Sequence, residues 1–321
     1  MEPAVRIRNV SKKFGDIDAL VDVSFDVPPN SIFGLLGQNG AGKTTLFSIA
    51  ANFLKADSGT VDVLGHDARN TSALLGRLTI LPQDAAFQRS TPILEQLVFF
   101  RMLDGQDRAT AESEVTRTLE MVGLGDYAKR GARALSHGMM KRLGVAQAFL
   151  GTPEVILLDE PTSGLDPANA RQIRNLIQEL RERTTIVISS HNLAEIQDLC
   201  DHAAILHKGR LITAGPVSEM TSSSRELDLR LSRPLDETEI ARLEDLAVVA
   251  SVDARNAPDY ALHMDLGEVT DWDDAVAAVL RALLDLGAVP RRFYEGRSLE
   301  QHFLAVTGDD ALEPGIEAGS S

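Results

Sequence analysis

One segment, SIFGLLGQNGAGKTTLFSIAANFL, constrains this chain more than any other. A short apolar run leads into Gly37 to Thr45, and apolar spacing resumes at Leu46, Ile49, Ala50 and Phe53, so the order read is strand, loop, helix. Gly37, Gly42, Lys43 and Thr44 satisfy the GxxxxGK[ST] phosphate-loop pattern in the strand-to-helix context it requires. Glycines let the backbone N–H groups of Gly37, Gln38, Asn39, Gly40, Ala41, Gly42, Lys43, Thr44 and Thr45 wrap a polyphosphate, and the helix points its positive dipole end at the same charge. The Lys43 ammonium would neutralise β- and γ-phosphate oxygens of ATP, and the Thr44 hydroxyl would ligate a Mg²⁺ bridging them.

A phosphate loop needs an acidic partner. PEVILLDEP supplies one, as a continuous apolar run of the kind buried on both faces of a parallel sheet, ending in Asp159 and Glu160. Ligands of open α/β sheets lie beyond the carboxyl ends of the strands, so Asp159 is expected in the Mg²⁺ shell and Glu160 to polarise the attacking water. TTIVISSHNLAEIQDLC repeats the arrangement, and His191 at its strand end is expected to contact the γ-phosphate. The other six histidines read as ordinary surface or core residues.

Composition narrows the class. The 321 residues, 44% of them hydrophobic, suffice for a large domain and a smaller one, and a formal charge of −15 disfavours nucleic acid as a partner. The single cysteine, Cys200, excludes a disulfide framework, and the N-terminus lacks the pattern of a signal peptide, so the cytoplasm is the expected compartment. No apolar run approaches the roughly 20 residues that span a bilayer, so any membrane role must be borrowed from a partner.

Three further segments name a family. LSHGM (Leu135 to Met139) precedes PEVILLDEP, SGLD (Ser163 to Asp166) follows it, and LPQD places Gln83 after a short strand; in this order, over about residues 5–218, the chain resembles an ATP-binding-cassette (ABC) ATPase. The resemblance implies a P-loop NTPase core of RecA-like α/β type, with an antiparallel β subdomain and a helical subdomain at about 84–150. It implies that Gln83 touches Mg²⁺ or water and relays to a separate membrane permease. It also implies that Ser136 and Gly138 of the signature loop meet the ATP of a second cassette, in a homodimer or a heterodimer, with Ser163 and Asp166 in the coupling D-loop. Catalysis would then rest on Glu160, His191 and Lys43, and metal binding on Thr44, Gln83 and Asp159. The signature departs from the common LSGGQ at His137 and Met139; histidine tolerates positive φ better than most residues, and Gly138 is retained. Read alone, LSHGM is a helix start capped by Ser136. Phe14 stands where the family places an adenine-stacking aromatic; the alternative is a buried strand phenylalanine.

The rest of the chain reads as follows. AVRIRNVSKKFGDIDALVDVSFDV and GTVDVLG alternate as antiparallel strands, whereas Leu94, Leu97, Val98 and Val115, Leu119, Val122 carry helical spacing. Phe99 and Phe100 would provide either an apolar docking surface or helix core. The ABC domain is placed at 1–220, serines 222–224 form a linker, and a small α+β domain of βαββαβ, ferredoxin-like order follows at 225–307, read as regulatory or dimer-stabilising. Its last helix is expected from Ser298, capped with Gln301, with Leu299, Phe303 and Val306 on one face; residues 308–321 read as a disordered tail. This C-terminal pattern resembles that of ABC-2-type exporter ATPases, which favours export on the inner face of a membrane. The competing readings are a soluble ABC ATPase without a permease and a nucleotide-gated dimerisation switch with weak hydrolysis.

Overall fold

Period-two alternation near the N-terminus produces long strands that turn one face to a core. The computed structural model describes residues 2–181, 184–222, 226–265, 271–295 and 299, and the chain divides into two units, Met1–Pro216 and Val217–Ser321. In the first unit β1 (Val5–Phe14) and β2 (Ile17–Val27) pair antiparallel, and β3 (Ile32–Leu36) departs for a second sheet. After α1 (Lys43–Ala50), β4 (Ser58–Val63) and β5 (His66–Asp67) return to complete an antiparallel sheet ordered β2-β1-β4-β5.

The second sheet holds β3 with β6 (Leu78–Leu81), β7 (Val155–Asp159), β8 (Thr185–Ser190), β9 (His202–His207) and β10 (Arg210–Pro216), in the order β10-β9-β3-β8-β7-β6. All pairings are parallel except the β9–β10 hairpin, which turns through Lys208 and Gly209 at φ 48° and 77°. Every residue of β3, β7 and β8 is buried, which is why their sequences are apolar almost without interruption. A shared core joins the sheets: Phe25 of β2 stacks on Phe33 of β3 at 5.4 Å between ring centroids, with Leu46, Phe47 and Val63 around them.

Short α2 (Thr71–Leu74) precedes β6, and α3 (Ile93–Leu103), α4 (Arg108–Met121) and α5 (His137–Ala148) separate β6 from β7. Leu97, Val98, Val115, Leu119 and Val122 are buried as their spacing requires. Arg101 is buried among them and is compensated by Asp104 at 2.8 Å and Glu114 at 3.0 Å. Phe99 is 57% exposed and therefore not helix core. One sequence expectation fails here. Phe53 does not continue the apolar face of α1, because the helix ends at Ala50 and Asn52 turns left-handed at φ 58°, leaving Phe53 69% exposed. Helices α6 (Pro167–Leu180) and α7 (Leu193–Leu199) follow β7 and β8.

The second unit begins with α8 (Val217–Ser222) and runs β11 (Glu226–Leu231), α9 (Glu237–Glu244), β12 (Val249–Asn256), β13 (Asp259–Met264), α10 (Trp272–Asp285) and β14 (Pro290–Glu295). Its antiparallel sheet has the order β12-β13-β11-β14, and Leu227, Leu229, Tyr260 and Leu262 pack with Leu243, Val276, Val279 and Leu283 of the two helices. Residues 223–225, the helix read from Ser298 other than Leu299, and the tail lie outside the described residues.

Asp236 and Glu239 form a capping box at the start of α9, and Arg233 grips the Glu239 carboxylate from outside. Hydrogen bonds from the Arg233 guanidinium, then from the Asp236 N–H, hold the Glu239 carboxyl down at about 2. A carboxyl depressed on folding stabilises above its unfolded value, about 4.3, and that contribution is lost as pH falls through the folded value. Thermal unfolding followed from pH 5 downward should therefore show an acid-dependent fall in Tm that is shallower in Arg233→Gln than in the parent.

Candidate active site

Parallel register brings three strand ends side by side. Leu36, the last residue of β3, pairs with Ser190 of β8, and Ser189 of β8 pairs with Asp159 of β7. The loop after β3, the acidic pair after β7 and His191 after β8 thus emerge on one edge of the sheet.

The loop after β3 is shaped by its glycines. A Cβ on Gly42, whose φ is 104°, would lie 2.5 Å from the Ala19 carbonyl oxygen, and one on Gly37 would lie 2.5 Å from that of Leu206. Only glycine fits either place. Gly42 is also the N-cap of α1, and no side chain caps that helix, so the N–H groups of its first turn point out of the helix end without an intrahelical acceptor. Gln38 accepts from the Ala41 N–H at 3.1 Å, Asn39 and Gly40 are exposed, and Thr44 presents its side chain to solvent with Thr45 half-buried beside it.

Lys43 is 5% exposed, and its ammonium donates to the Gly37 carbonyl at 2.6 Å and the Gln38 carbonyl at 3.3 Å. It also lies 3.3 Å from Glu160 Oε1. The other carboxylate oxygen, Oε2, is 2.8 Å from His191 Nδ1. Glu160 therefore sits between a lysine from one strand end and a histidine from another, itself only 6% exposed and in a left-handed conformation at φ 51°. A non-glycine residue held there stores strain that the surrounding bonds must maintain. They do so through Ser189, whose hydroxyl donates to Asp159 Oδ1 and accepts from the Glu160 N–H at 2.9 Å. Lys141 of α5 adds a second clamp, donating to the carbonyls of Gln83 at 3.1 Å and Glu160 at 3.3 Å. Burial pushes the Lys141 ammonium below its ordinary range, against the opposing pull of Asp84, Glu160 and Asp159.

Residues 20–163 match the ABC transporter family model. The daunorubicin/doxorubicin resistance ATP-binding protein DrrA of Streptomyces peucetius is 31% identical over 98% of this chain and 95% of its own length. The chain belongs to the ABC transporter ATP-binding family. The bacitracin transport ATP-binding protein BcrA of Bacillus licheniformis is 33% identical over 83% of this chain and 84% of its length. Among solved structures, an ATP-binding cassette of an ABC transporter in its ADP conformation superposes with TM-score 0.61 at 26% identity, covering 68% of this chain and 95% of that one. CbiO1 of Clostridium perfringens, part of the transporter complex cbiONQ, gives 0.61 at 25% identity over 68% and 90%. This ABC chain is thus an ATP-binding, ATP-hydrolysing transporter subunit on a P-loop core, and no helix among its described residues is long and apolar enough to cross a membrane.

The ABC signature opens α5, the helix whose Lys141 reaches the Glu160 carbonyl. Ser136 caps α5, accepting from the Met139 N–H at 3.3 Å, and among the described residues no hydrogen bond joins Ser136 or Gly138 to Lys43, Asp159, Glu160 or His191. His137 needs no left-handed backbone: it is the first residue of α5, and its ring lies over Gly164, where an added Cβ would come 3.3 Å from Nε2. Gly138 is buried, and a Cβ there would lie 3.0 Å from the Asn169 side chain. Asn169 is in turn bonded to Asp166, the N-cap of α6. That carboxyl is held below its usual range, first by the Asn169 N–H and then by the Asn169 side chain. The Ser163 N–H donates to the Glu160 carbonyl at 3.3 Å, so the D-loop starts directly from the acidic pair. Phe14 is 48% exposed at the tip of the β1–β2 hairpin, with the Lys12 ammonium 5.6 Å from its ring centroid, and is not a buried strand phenylalanine.

Sequence reasoning passed over Ser189 and Lys141. The doublet Ser189-Ser190 at the end of a β-branched strand was the available signal, since a buried hydroxyl there needs a partner; nothing in the sequence marks Lys141. Ser189→Ala should leave one buried acceptor and one buried donor without a partner and lower stability by about 1–3 kcal/mol, read by chemical denaturation.

Proposed function

We propose that the chain is the ATPase subunit of an exporter, acting as a dimer on the cytoplasmic face of a membrane through a separate permease. The observation that carries the chemical part is the position of Glu160, 3.3 Å from Lys43 and 2.8 Å from His191. Export is supported by two relatives that align over most of the chain and are named for drug resistance and for bacitracin transport. The dimer is supported by the signature loop: among the described residues no hydrogen bond joins Ser136 or Gly138 to the Lys43 cluster of the same chain, and a second cassette would present Ser136 and the first-turn amides of α5 to the γ-phosphate.

Within one cassette Lys43 and the uncapped first turn of α1 bind the β- and γ-phosphates, and Phe14 stacks on the adenine. Glu160 accepts a hydrogen bond from the attacking water, and His191 holds that carboxylate by Nδ1 and offers its exposed edge to the γ-phosphate. Among the described residues no group of three or more His, Cys, Asp or Glu could form a metal cage of its own. Mg²⁺ bound to a nucleotide needs none, since phosphate oxygens and waters fill most of its octahedron. The Thr44 hydroxyl, the Asp159 carboxylate and the Gln83 amide are hard oxygen donors that fit it, and when bound it would neutralise charge between the two phosphates. Gln83 and the D-loop residues Ser163 and Asp166 relay the state of the site to the permease and the partner cassette.

Glu160→Gln should cut Mg²⁺-dependent ATP hydrolysis by at least about a hundredfold while leaving ATP binding intact and shifting the protein to a dimer on size exclusion with ATP. Normal turnover in that variant would refute the assignment, and turnover in the parent separates this reading from a dimerisation switch. Phe14→Ala should raise the KM for ATP by about threefold to tenfold, the loss of one aromatic contact, with kcat little changed.

A further inference from the structure

Glu195 has no role in the chemistry described so far, yet it is 6% exposed, on α7 one turn beyond His191. A buried carboxylate must be hydrogen-bonded or paired to be tolerated. Its Oε2 accepts from two hydroxyls, Thr162 Oγ1 at 2.9 Å and Ser190 Oγ at 3.0 Å. Thr162 lies two residues after Glu160, and Ser190 immediately precedes His191. The Ser190 hydroxyl also accepts from the Asn192 N–H at 3.0 Å, and Asn192 Oδ1 accepts from the Glu195 N–H at 3.1 Å, so the bonds close around both flanks of His191. Oε1, by contrast, has no hydrogen bond, and the nearest cation, Arg174 Nη1 of α6, stands 4.0 Å away.

We propose that Glu195 is a positioning residue for ATP hydrolysis: Oε2, as an acceptor shared by Thr162 and Ser190, ties the turn that carries Glu160 to the turn that carries His191 and so sets their 2.8 Å contact. The function lies in one oxygen that accepts two hydroxyl hydrogen bonds, a task a neutral amide oxygen can also perform, whereas Oε1 makes no hydrogen bond and meets only Arg174 at 4.0 Å. The inference rests on Glu160 and His191 being the reacting pair proposed above.

The distinction can be read from steady-state ATPase kinetics of the full chain. Glu195→Ala should lower kcat on the order of tenfold or more, within the roughly hundredfold that an ångström of misplacement costs, with the KM for ATP within about twofold of the parent. Glu195→Gln, whose amide oxygen can accept both hydroxyls, should restore kcat to within about threefold of the parent. In a His191→Ala background, Glu195→Ala should cost nothing further, because the two residues act through one contact. Where Glu195→Ala fails to fold, Thr162→Val removes one of the two donors without changing shape and should lower kcat in the same non-additive way. A normal kcat in Glu195→Ala or Thr162→Val, a Glu195→Gln as impaired as the alanine variant, or an effect that persists undiminished without His191 would each overturn the proposal. A normal kcat in His191→Ala alone would remove instead the reading of the site, and the proposal with it.

Discussion

A carboxylate withdrawn from water needs compensating partners, and the strand-end cluster of this ABC chain is organised around meeting that demand for Glu160. The compensation comes from separate strands: an ammonium from the loop after β3 and an imidazole from the end of β8. Neither partner is near Glu160 in sequence, so the contact exists only when β3, β8 and β7 lie side by side in register. Sheet order and chemistry are one constraint here. A slip of a single residue in either parallel pairing would turn alternate side chains to the other face and dissolve the cluster.

Neutral groups do the finer placement. Ser189 donates to one carboxylate and receives the N–H of the next residue, which fixes a backbone that would otherwise leave its left-handed conformation. Hydroxyls suit this task because a single one can give and take at once within a space too small for a charged pair. The signature of the same chain packs toward the D-loop, with Gly138 against Asn169, which is bonded to Asp166. The two elements expected to face another cassette are thus packed against each other.

The core of this arrangement was legible in the sequence because its parts have local causes. The phosphate loop declares itself by glycines whose missing Cβ atoms leave room for Ala19 and Leu206, and β7 by an apolar run that only a doubly covered strand tolerates. What was not legible depends on neighbours distant in the chain. Lys141 is one exposed-looking lysine among seven until α5 lays it across Gln83 and Glu160, and Phe53 reads as helical until Asn52 breaks the helix. His137 misled in the opposite direction: comparison with a glycine suggested an unusual backbone, whereas the residue opens an ordinary helix.

The bonds from Lys43 to the carbonyls of Gly37 and Gln38 have a consequence for affinity. Two carbonyl dipoles and the Glu160 carboxylate solvate the Lys43 cation, so a phosphate taken up by the loop as proposed would compete with them rather than with bulk solvent. The net affinity for such a phosphate would then be a difference between two well-made coordination shells. Small anions that offer only one or two oxygens gain little from the exchange, whereas a chain of phosphates long enough to engage the helix end as well recovers what the lysine gives up.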